Sequence, residues 1–313
     1  MIKEKRFVVT GGAGFIGSNI VQELIKKDNE VLVVDDLSTG HIGNITEILP
    51  EITFVEGDIK DSGLLKEAFQ NVDYVLHCAA LASVPKSVED PITANRINID
   101  GTLNVLVAAR DADVKRVVYI ASSAAYGNSP ILPKTEDMKP EPLTPYAITK
   151  LVGEQYCKVF YELYGLETVS LRYFNVFGPR QDPKSEYAAV IPKFVTSILK
   201  NERPVIYGDG EQSRDFTYVQ NNVAATLLAC EVKAAAGELF NIAYGEMITL
   251  NELVNKLNVI LGKNIEPIHT NPQLGDVKHS MADIALARKV LGFEPEYDFE
   301  YGLRKTIDWF KKE

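Results

Sequence analysis

Paired cysteine is what this chain most plainly lacks: Cys78, Cys157 and Cys230 lie far apart, with no C-x-x-C. That usage suits a reducing compartment and offers neither a disulfide framework nor a metal site. The four histidines, His41, His77, His269 and His279, are scattered too. No apolar run approaches the ~20 residues of a membrane-spanning helix, so no membrane partner is expected. The opening Met1-Ile2-Lys3-Glu4-Lys5 reaches strand-like sequence by Arg6 and has no signal-peptide pattern, and the expected home is the cytoplasm. No face clustered in Lys and Arg stands out, and the net charge is −10 with a pI near 5.1. Nucleic acid is therefore not the expected partner. An anionic substrate stays open, because one or two local cations override a negative average. No internal repeat or low-complexity tract is present.

What the chain does have is core: 46% of its 313 residues are apolar. The first half alternates short apolar runs with helical patterns. The runs are Phe7–Thr10, Val31–Asp35, Thr53–Val55, Tyr74–Ala79, Val117–Ala121 and Thr168–Tyr173. Their Val/Ile/Leu content is near-continuous, as in strands buried on both faces of a parallel sheet. Between the first two runs, Phe15, Ile16, Ile20, Val21, Leu24 and Ile25 form an apolar stripe at helical spacing. Strand, helix, strand, repeated, implies an α/β fold with a doubly wound parallel (Rossmann) sheet.

The character changes near Phe177, where Gly178-Pro179-Arg180-Gln181-Asp182-Pro183 is rich in breakers. Beyond it, Val190–Leu199 reads as a helix, Val205-Ile206-Tyr207 as a strand, Phe240–Ala243 as one more sheet strand, and Leu250–Leu261 as a helix capped by Thr249. The expected division is a nucleotide-binding Rossmann domain from residues 1–176 plus about 215–245. Residues of about 177–214 plus 246–313 would form a smaller α/β lobe over the carboxyl edge of the sheet.

Gly11-x-x-Gly14-x-x-Gly17 follows the first strand and opens the first helix, with Phe15 and Ile16 inside the pattern. Such a loop needs a tight turn, close backbone approach to a pyrophosphate and intimate packing of helix on strand. Helix N-terminal amides and the helix dipole favour the phosphate charge. Asp35 closes the second strand, with Asp36 beside it. A carboxylate there accepts hydrogen bonds from a ribose diol and repels a 2′-phosphate, so the expected cofactor is NAD rather than NADP. Two later strand ends are candidates for the same ligand. Asp58 and Ile59 would meet the adenine, and Ala79 and Ala80 leave room for pyrophosphate or ribose.

Tyr146 and Lys150 stand four apart in Pro145-Tyr146-Ala147-Ile148-Thr149-Lys150. On a helix that spacing puts both on one face, with Cβ atoms ~5–6 Å apart. An ammonium beside a phenol favours the phenolate, which makes the tyrosine a usable base near neutral pH.

Glycine loop, Asp35 and this pair together make the sequence resemble the extended short-chain dehydrogenase/reductase superfamily, and within it the nucleotide-sugar 4-epimerases. The likeness runs over essentially the whole length. It is carried by His77–Val84, Ala121–Gly127, Pro145–Lys150, Arg172–Pro179 and Ser213–Phe216. Pro179–Pro183, Tyr187–Pro192 and Gly275–Ser280 resemble the bacterial UDP-N-acetylglucosamine 4-epimerases in particular.

The resemblance implies a triad. Tyr146 takes the proton of sugar O4, Lys150 holds the nicotinamide ribose and lowers the tyrosine pKa, and Ser122 hydrogen-bonds O4 with Ser123 beside it. It implies that Tyr173 and Val176 line the nicotinamide and that Asn98 makes a cofactor-side polar contact. It assigns Asn175 and Arg214 to the UDP diphosphate, where an arginine suits bidentate phosphate recognition. Asp276 would bond the uridine ribose, and Val190 and Tyr207 would join the substrate wall. Many family members carry an arginine where this chain has Gln273. Either diphosphate affinity is lower here or another cation, Lys278 or Arg180, compensates. Epimerases restricted to plain hexoses have a bulky aromatic at the position of Ser280. Serine leaves space for an N-acetyl group, and Ala82, Ser83 and Ala189 also match the acetyl-tolerant subgroup.

The implied reaction interconverts UDP-GlcNAc and UDP-GalNAc, and UDP-Glc and UDP-Gal as a further pair, through a 4-keto sugar. A 4,6-dehydratase of the same superfamily carries Asp-Glu after the serine, where this chain has Ser123-Ala124. The same fold and Tyr/Lys pair would also suit a nucleotide-sugar decarboxylase, and the glycine loop alone would suit a catalytically dead NAD-binding protein. The superfamily also implies a homodimer through a four-helix bundle made by Thr93–Ala109 and Tyr146–Tyr164.

Overall fold

A computed structural model describes residues 2–183, 189–272 and 277–312. Six strands come from residues 6–173: β1 (Arg6–Thr10), β2 (Glu30–Asp35), β3 (Thr53–Glu56), β4 (Tyr74–His77), β5 (Arg116–Ser122) and β6 (Glu167–Tyr173). Short strands follow: β7 (Val176–Phe177), β8 (Val205–Tyr207), β9 (Ser213–Arg214), β10 (Thr217–Tyr218), β11 (Leu239–Ile242), β12 (Ile248–Thr249), β13 (Ile268–Thr270) and β14 (His279–Ser280). The main sheet has seven parallel strands in the order β11-β6-β5-β4-β1-β2-β3. The doubly wound parallel architecture expected from the apolar runs is thus present.

Alternation within the strands explains why those runs are continuous. Phe7 and Val9 of β1 pack into one core, and Val8 between them packs into another on the opposite face. Both faces are covered by helices, so both alternate positions are mostly apolar, although β6 buries Thr168, Ser170 and Arg172 along one of its faces. These helices are α1 (Phe15–Lys26), α2 (Ser62–Ala68), α3 (Val84–Glu89), α4 (Pro91–Asn95), α5 (Gly101–Asp111) and α6 (Pro145–Tyr164). Later come α7 (Val190–Leu199), α8 (Val219–Glu231), α9 (Leu250–Leu261), α10 (Ala285–Leu291) and α11 (Phe299–Phe310).

Strand order reverses between β1 and β4, and a crevice opens at the carboxyl ends on either side of such a switch. Two elements differ from the sequence pattern there. The run Tyr74–Ala79 stops pairing after His77, and Cys78 hands its N–H to the Thr10 carbonyl as the chain turns away into the crevice. The stretch Thr93–Ala109 is not one regular helix. A π turn at Arg96–Asp100 separates α4 from α5 and buries Asn98.

Segments after Phe177 pair mostly with one another. Strand β9 lies between β12 and β14, antiparallel to the first and parallel to the second. Strands β8 and β13 form a parallel pair, whereas β10 pairs with β7. The sheet end that carries Arg214 and Ser280 thereby comes to the mouth of the crevice.

Candidate active site

Two adjoining clefts share Phe15, Ile16, Cys78, Ala80 and Ala82 in their walls. The smaller, about 270 Å³, runs along the glycine loop. Gly11 sits at φ +71°, and a Cβ there would stand 2.6 Å from the Ala79 nitrogen. At Gly17 it would stand 2.1 Å from the Gly11 carbonyl oxygen. Gly14 is the N-cap of α1, with no side chain to satisfy the first helical amides. The loop is therefore a bare-backbone cradle at a helix N-terminus, the form a pyrophosphate requires.

Asp35 ends β2 at the far side of this cleft and is almost fully buried. Its carboxylate accepts the Ala13 and Leu37 amides, both at 2.9 Å. Burial still wins and raises its pKa above the usual value. Asp36, Asp58, Ile59 and Ala79 line the same cleft. So do Ser38, Thr39 and Gly40, which sequence reasoning passed over. Their signal was a polar Ser-Thr-Gly turn directly after the acid. The residues present fit a dinucleotide: glycine cradle, diol-accepting carboxylate and a wall of small side chains.

The larger cleft has a volume of about 1060 Å³. Ser122, Ser123, Tyr146, Lys150, Tyr173, Val176, Asn175, Arg214 and Ser280 all line it. Ser122 ends β5, and its hydroxyl caps the following turn by accepting the Ala124 amide at 3.2 Å. Tyr146 is held at the start of α6. Thr144 caps that helix through the Ala147 amide, Pro145 occupies the first turn, and Ser87 of α3 accepts the Tyr146 amide at 3.0 Å. Burial pushes the Tyr146 phenol up, and a hydrogen bond from Ser122 pulls it back.

Lys150 stands differently from the sequence expectation. Its ammonium lies over the Tyr119 ring, 4.6 Å from the centroid, and is not among the groups that shift Tyr146. Burial pushes Lys150 down to about 8, against the pull of Cys78 and Glu154. The hydrogen bond from Ser122 works against burial at the phenol. Behind Lys150, one turn along α6, Glu154 makes a two-point pair with Arg172 of β6 at 2.9 and 2.7 Å. Arg172 in turn covers the Tyr126 ring.

Other expected contacts lie outside the cleft walls. Asn98 is buried and spends its amide on the Leu81 amide and carbonyl and on the Thr149 hydroxyl, at 2.8, 3.2 and 2.9 Å. It clamps the β4 loop to α6 and does not face the cofactor cleft. Ser83 caps α3 through the Lys86 amide. Ala189 caps α7, Val190 is its first residue, and Tyr207 is exposed on β8. None of these four lines the large cleft. Asn175 lies in it, at φ +33°, but its amide donates to the Asp215 carbonyl at 3.1 Å. Arg214 donates to the Ser213 carbonyl at 2.9 Å. Asp276, Gln273 and Tyr187 lie outside the described residues.

Several wall residues had no sequence signal at all, Lys134 and Glu89 among them, while Gln181 lay in a marked stretch without a role of its own. Among the described residues of the large cleft, Glu89 is the only carboxylate, against the cations Lys134, Lys150 and Arg214. The balance suits a di-anionic diphosphate.

Comparison with known proteins agrees with this geometry. The model of the NAD dependent epimerase/dehydratase family matches residues 7–243. A putative UDP-glucose 4-epimerase of Methanocaldococcus jannaschii is 42% identical over 306 residues, which is 97% of this chain and 98% of that protein. The solved UDP-N-acetylglucosamine 4-epimerase of Methanobrevibacter ruminantium, in complex with UDP-N-acetylmuramic acid, superposes with a TM-score of 0.95. It is 45% identical, and 99% of each chain is covered. The UDP-glucose 4-epimerase of Thermus thermophilus in complex with NAD has a TM-score of 0.89 at 36% identity, over 98% of this chain and 99% of that one.

Proposed function

The chain belongs to the NAD dependent epimerase/dehydratase family and is an NAD-dependent UDP-sugar 4-epimerase; from that premise we propose that it interconverts UDP-N-acetylglucosamine and UDP-N-acetylgalactosamine, and turns over UDP-glucose and UDP-galactose as well. One observation carries the choice of sugar. Ser280, a small side chain, stands in the large cleft beside Arg214, with which it pairs across β14 and β9. An aromatic ring there would fill the space that an N-acetyl group needs.

The residues divide the work as follows. The glycine loop cradles the pyrophosphate, Asp35 takes a ribose diol, and Lys150 binds the nicotinamide ribose. Bound NAD supplies the acceptor and then the donor of the C4 hydride. Tyr146 takes the O4 proton and later returns it, and Ser122 holds O4 and stabilises the phenolate. Arg214 holds the diphosphate, and Asn175 supports that end of the cleft. The sugar turns over between the two half-reactions, so O4 meets the same Tyr146–Ser122 pair from either face. Proton and hydride both go back, and no net oxidation results.

Epimerisation is favoured over dehydration by what stands next to Ser122. Eliminating water across C5–C6 needs an acid and a base beside the reacting carbons. Ser123 and Ala124 occupy that wall, and neither supplies them. We also place the protein in the cytoplasm as a homodimer. No helix among the described residues is long and apolar enough to cross a membrane.

The test is kcat/KM for the acetylated and plain UDP-sugar pairs, side by side, in the protein and in Ser280→Tyr. The expected result is turnover of both pairs, with the acetylated pair lost ~10–200-fold in the variant and the plain pair kept. Unchanged turnover of the acetylated pair in Ser280→Tyr would overturn the pocket argument.

A further inference from the structure

Asp215 is fully buried between β9 and β10, and its carboxylate is spent on backbone amides of two separate elements. One oxygen accepts the Tyr244 amide and both accept the Gly245 amide, each at 3.1 Å. Those residues follow β11, the edge strand of the main sheet. The second oxygen also accepts the Ala282 amide at 3.2 Å, just past the end of β14. Burial pushes the carboxyl up to about 6, against the pull of these amides.

Residues of the large cleft surround this knot. The Asp215 amide donates to the Ser280 carbonyl at 2.9 Å, and the Asp215 carbonyl accepts the Asn175 side-chain amide at 3.1 Å. Arg214 is the immediate neighbour. Its guanidinium donates to the Ser213 carbonyl of β9 at 2.9 Å and to the Lys278 carbonyl, just before β14, at 3.3 Å. The place of that guanidinium is therefore set by how β9 lies against β14. Asp215 closes the end of that pairing and ties it to the main sheet, whose β5 carries Ser122. A carboxylate can serve both sets of amides. An asparagine has one acceptor oxygen, and its NH2 would face a backbone donor.

We propose that Asp215 is a positioning residue for substrate: its carboxylate locks β9 and β14 onto the chain that leaves β11, and so holds Arg214 and Ser280 in place against the strand end that carries Ser122. Asp215 itself touches no substrate and acts through Arg214. The inference rests on the reading of Arg214 as the ligand of a nucleoside diphosphate and deepens it.

The experiment is a double-mutant cycle read by UDP binding to the holoenzyme, a measure independent of turnover. Calorimetry gives the Kd of UDP for the wild type, Asp215→Asn, Arg214→Ala and the double variant. Asp215→Asn is expected to weaken UDP about five- to tenfold, on the scale of one net hydrogen bond. In the Arg214→Ala background the same change is expected to cost less than about twofold, because the group it positions is gone. Retained NAD is expected to be unchanged in Asp215→Asn, and the KM of the UDP-sugar to rise with the Kd while kcat holds. Equal factors in the two backgrounds overturn the proposal, and so does a wild-type Kd in Asp215→Asn. Asp215→Ser, whose hydroxyl opposes no amide, is carried through the same cycle. If neither variant retains NAD, Asp215 is a requirement of the whole fold, which overturns the proposal as well. A wild type that binds UDP but turns over no UDP-sugar would overturn the epimerase reading alone, and the cycle would still decide the role of Asp215. A wild type that does not bind UDP overturns both.

Discussion

At the scale of single residues, the chemistry turns on how a buried phenol becomes a base. Burial raises the Tyr146 pKa, and the hydrogen bond from Ser122 is what lowers it. Burial also pushes Lys150 down, to about 8. In the proposed mechanism the active form carries Tyr146 ionised, so activity falls on the acid side as the phenolate is protonated. Removing the Ser122 hydroxyl removes a group that favours the phenolate. The phenol pKa rises, more of the enzyme is protonated at any given pH, and the acid limb of the profile moves to higher pH. Ser122→Ala is therefore expected to shift the acid limb of log kcat/KM upward, while Tyr146→Phe abolishes the limb and lowers kcat ~10²–10⁴-fold. A Ser122→Ala profile with the wild-type limb, lowered uniformly, would assign the serine to sugar binding alone.

At the scale of elements, helix α6 presents the pair to the cleft and is anchored from behind. The Glu154–Arg172 bridge joins α6 to β6 with both side chains almost fully buried. Gly153 lets the Tyr119 ring meet the helix, where a Cβ would stand 2.3 Å from the ring's hydroxyl oxygen. Breaking the bridge by one partner leaves a buried charge, and Glu154→Gln or Arg172→Met alone is expected to cost ~3–5 kcal/mol. The double variant strands no charge and should cost at least ~2 kcal/mol less than the two singles summed. Urea unfolding of the four proteins measures this, and strict additivity would show that the pair does not act as a unit. Much at this scale was legible in the sequence. Strands buried on both faces are mostly apolar, and α9 runs over the Leu250–Leu261 its pattern marks, behind a Thr249–Glu252 capping box. The π turn before α5 was not legible, because an inserted turn leaves the apolar stripe nearly intact while rotating Asn98 inward. Nor were the parts of the cleft wall drawn from loops: Gln181 and Lys134 reach the cavity through tertiary packing, to which no local period corresponds. Ser83 shows the opposite failure. A motif match put it in the pocket, and local capping chemistry holds it at the helix start.

At the scale of the whole molecule, one apolar surface has no cover among the described residues. On α6, Ile148, Val152, Val159 and Leu163 share one helical face, and Ile148, Val159 and Leu163 are 48%, 39% and 72% exposed. Ile92 on the neighbouring α4 is 64% exposed. A helix that is apolar on its inner and outer faces is built to be buried on both. Two copies meeting through α4–α5 and α6 would cover the stripe as a four-helix bundle. The arrangement would matter for the proposed mechanism, because α6 starts with Tyr146 and carries the stripe along its length, so pairing would stiffen the element that sets Tyr146 against Ser122. Sedimentation at micromolar concentration is expected to give a dimer, and the combined Val159→Glu and Leu163→Glu variant a monomer. Those two positions lie three turns and more from Tyr146, so any fall in kcat of the monomer reports the loss of stiffness rather than damage to the site. A wild type that sediments as a monomer would reject the dimer, and the stripe would then need another partner.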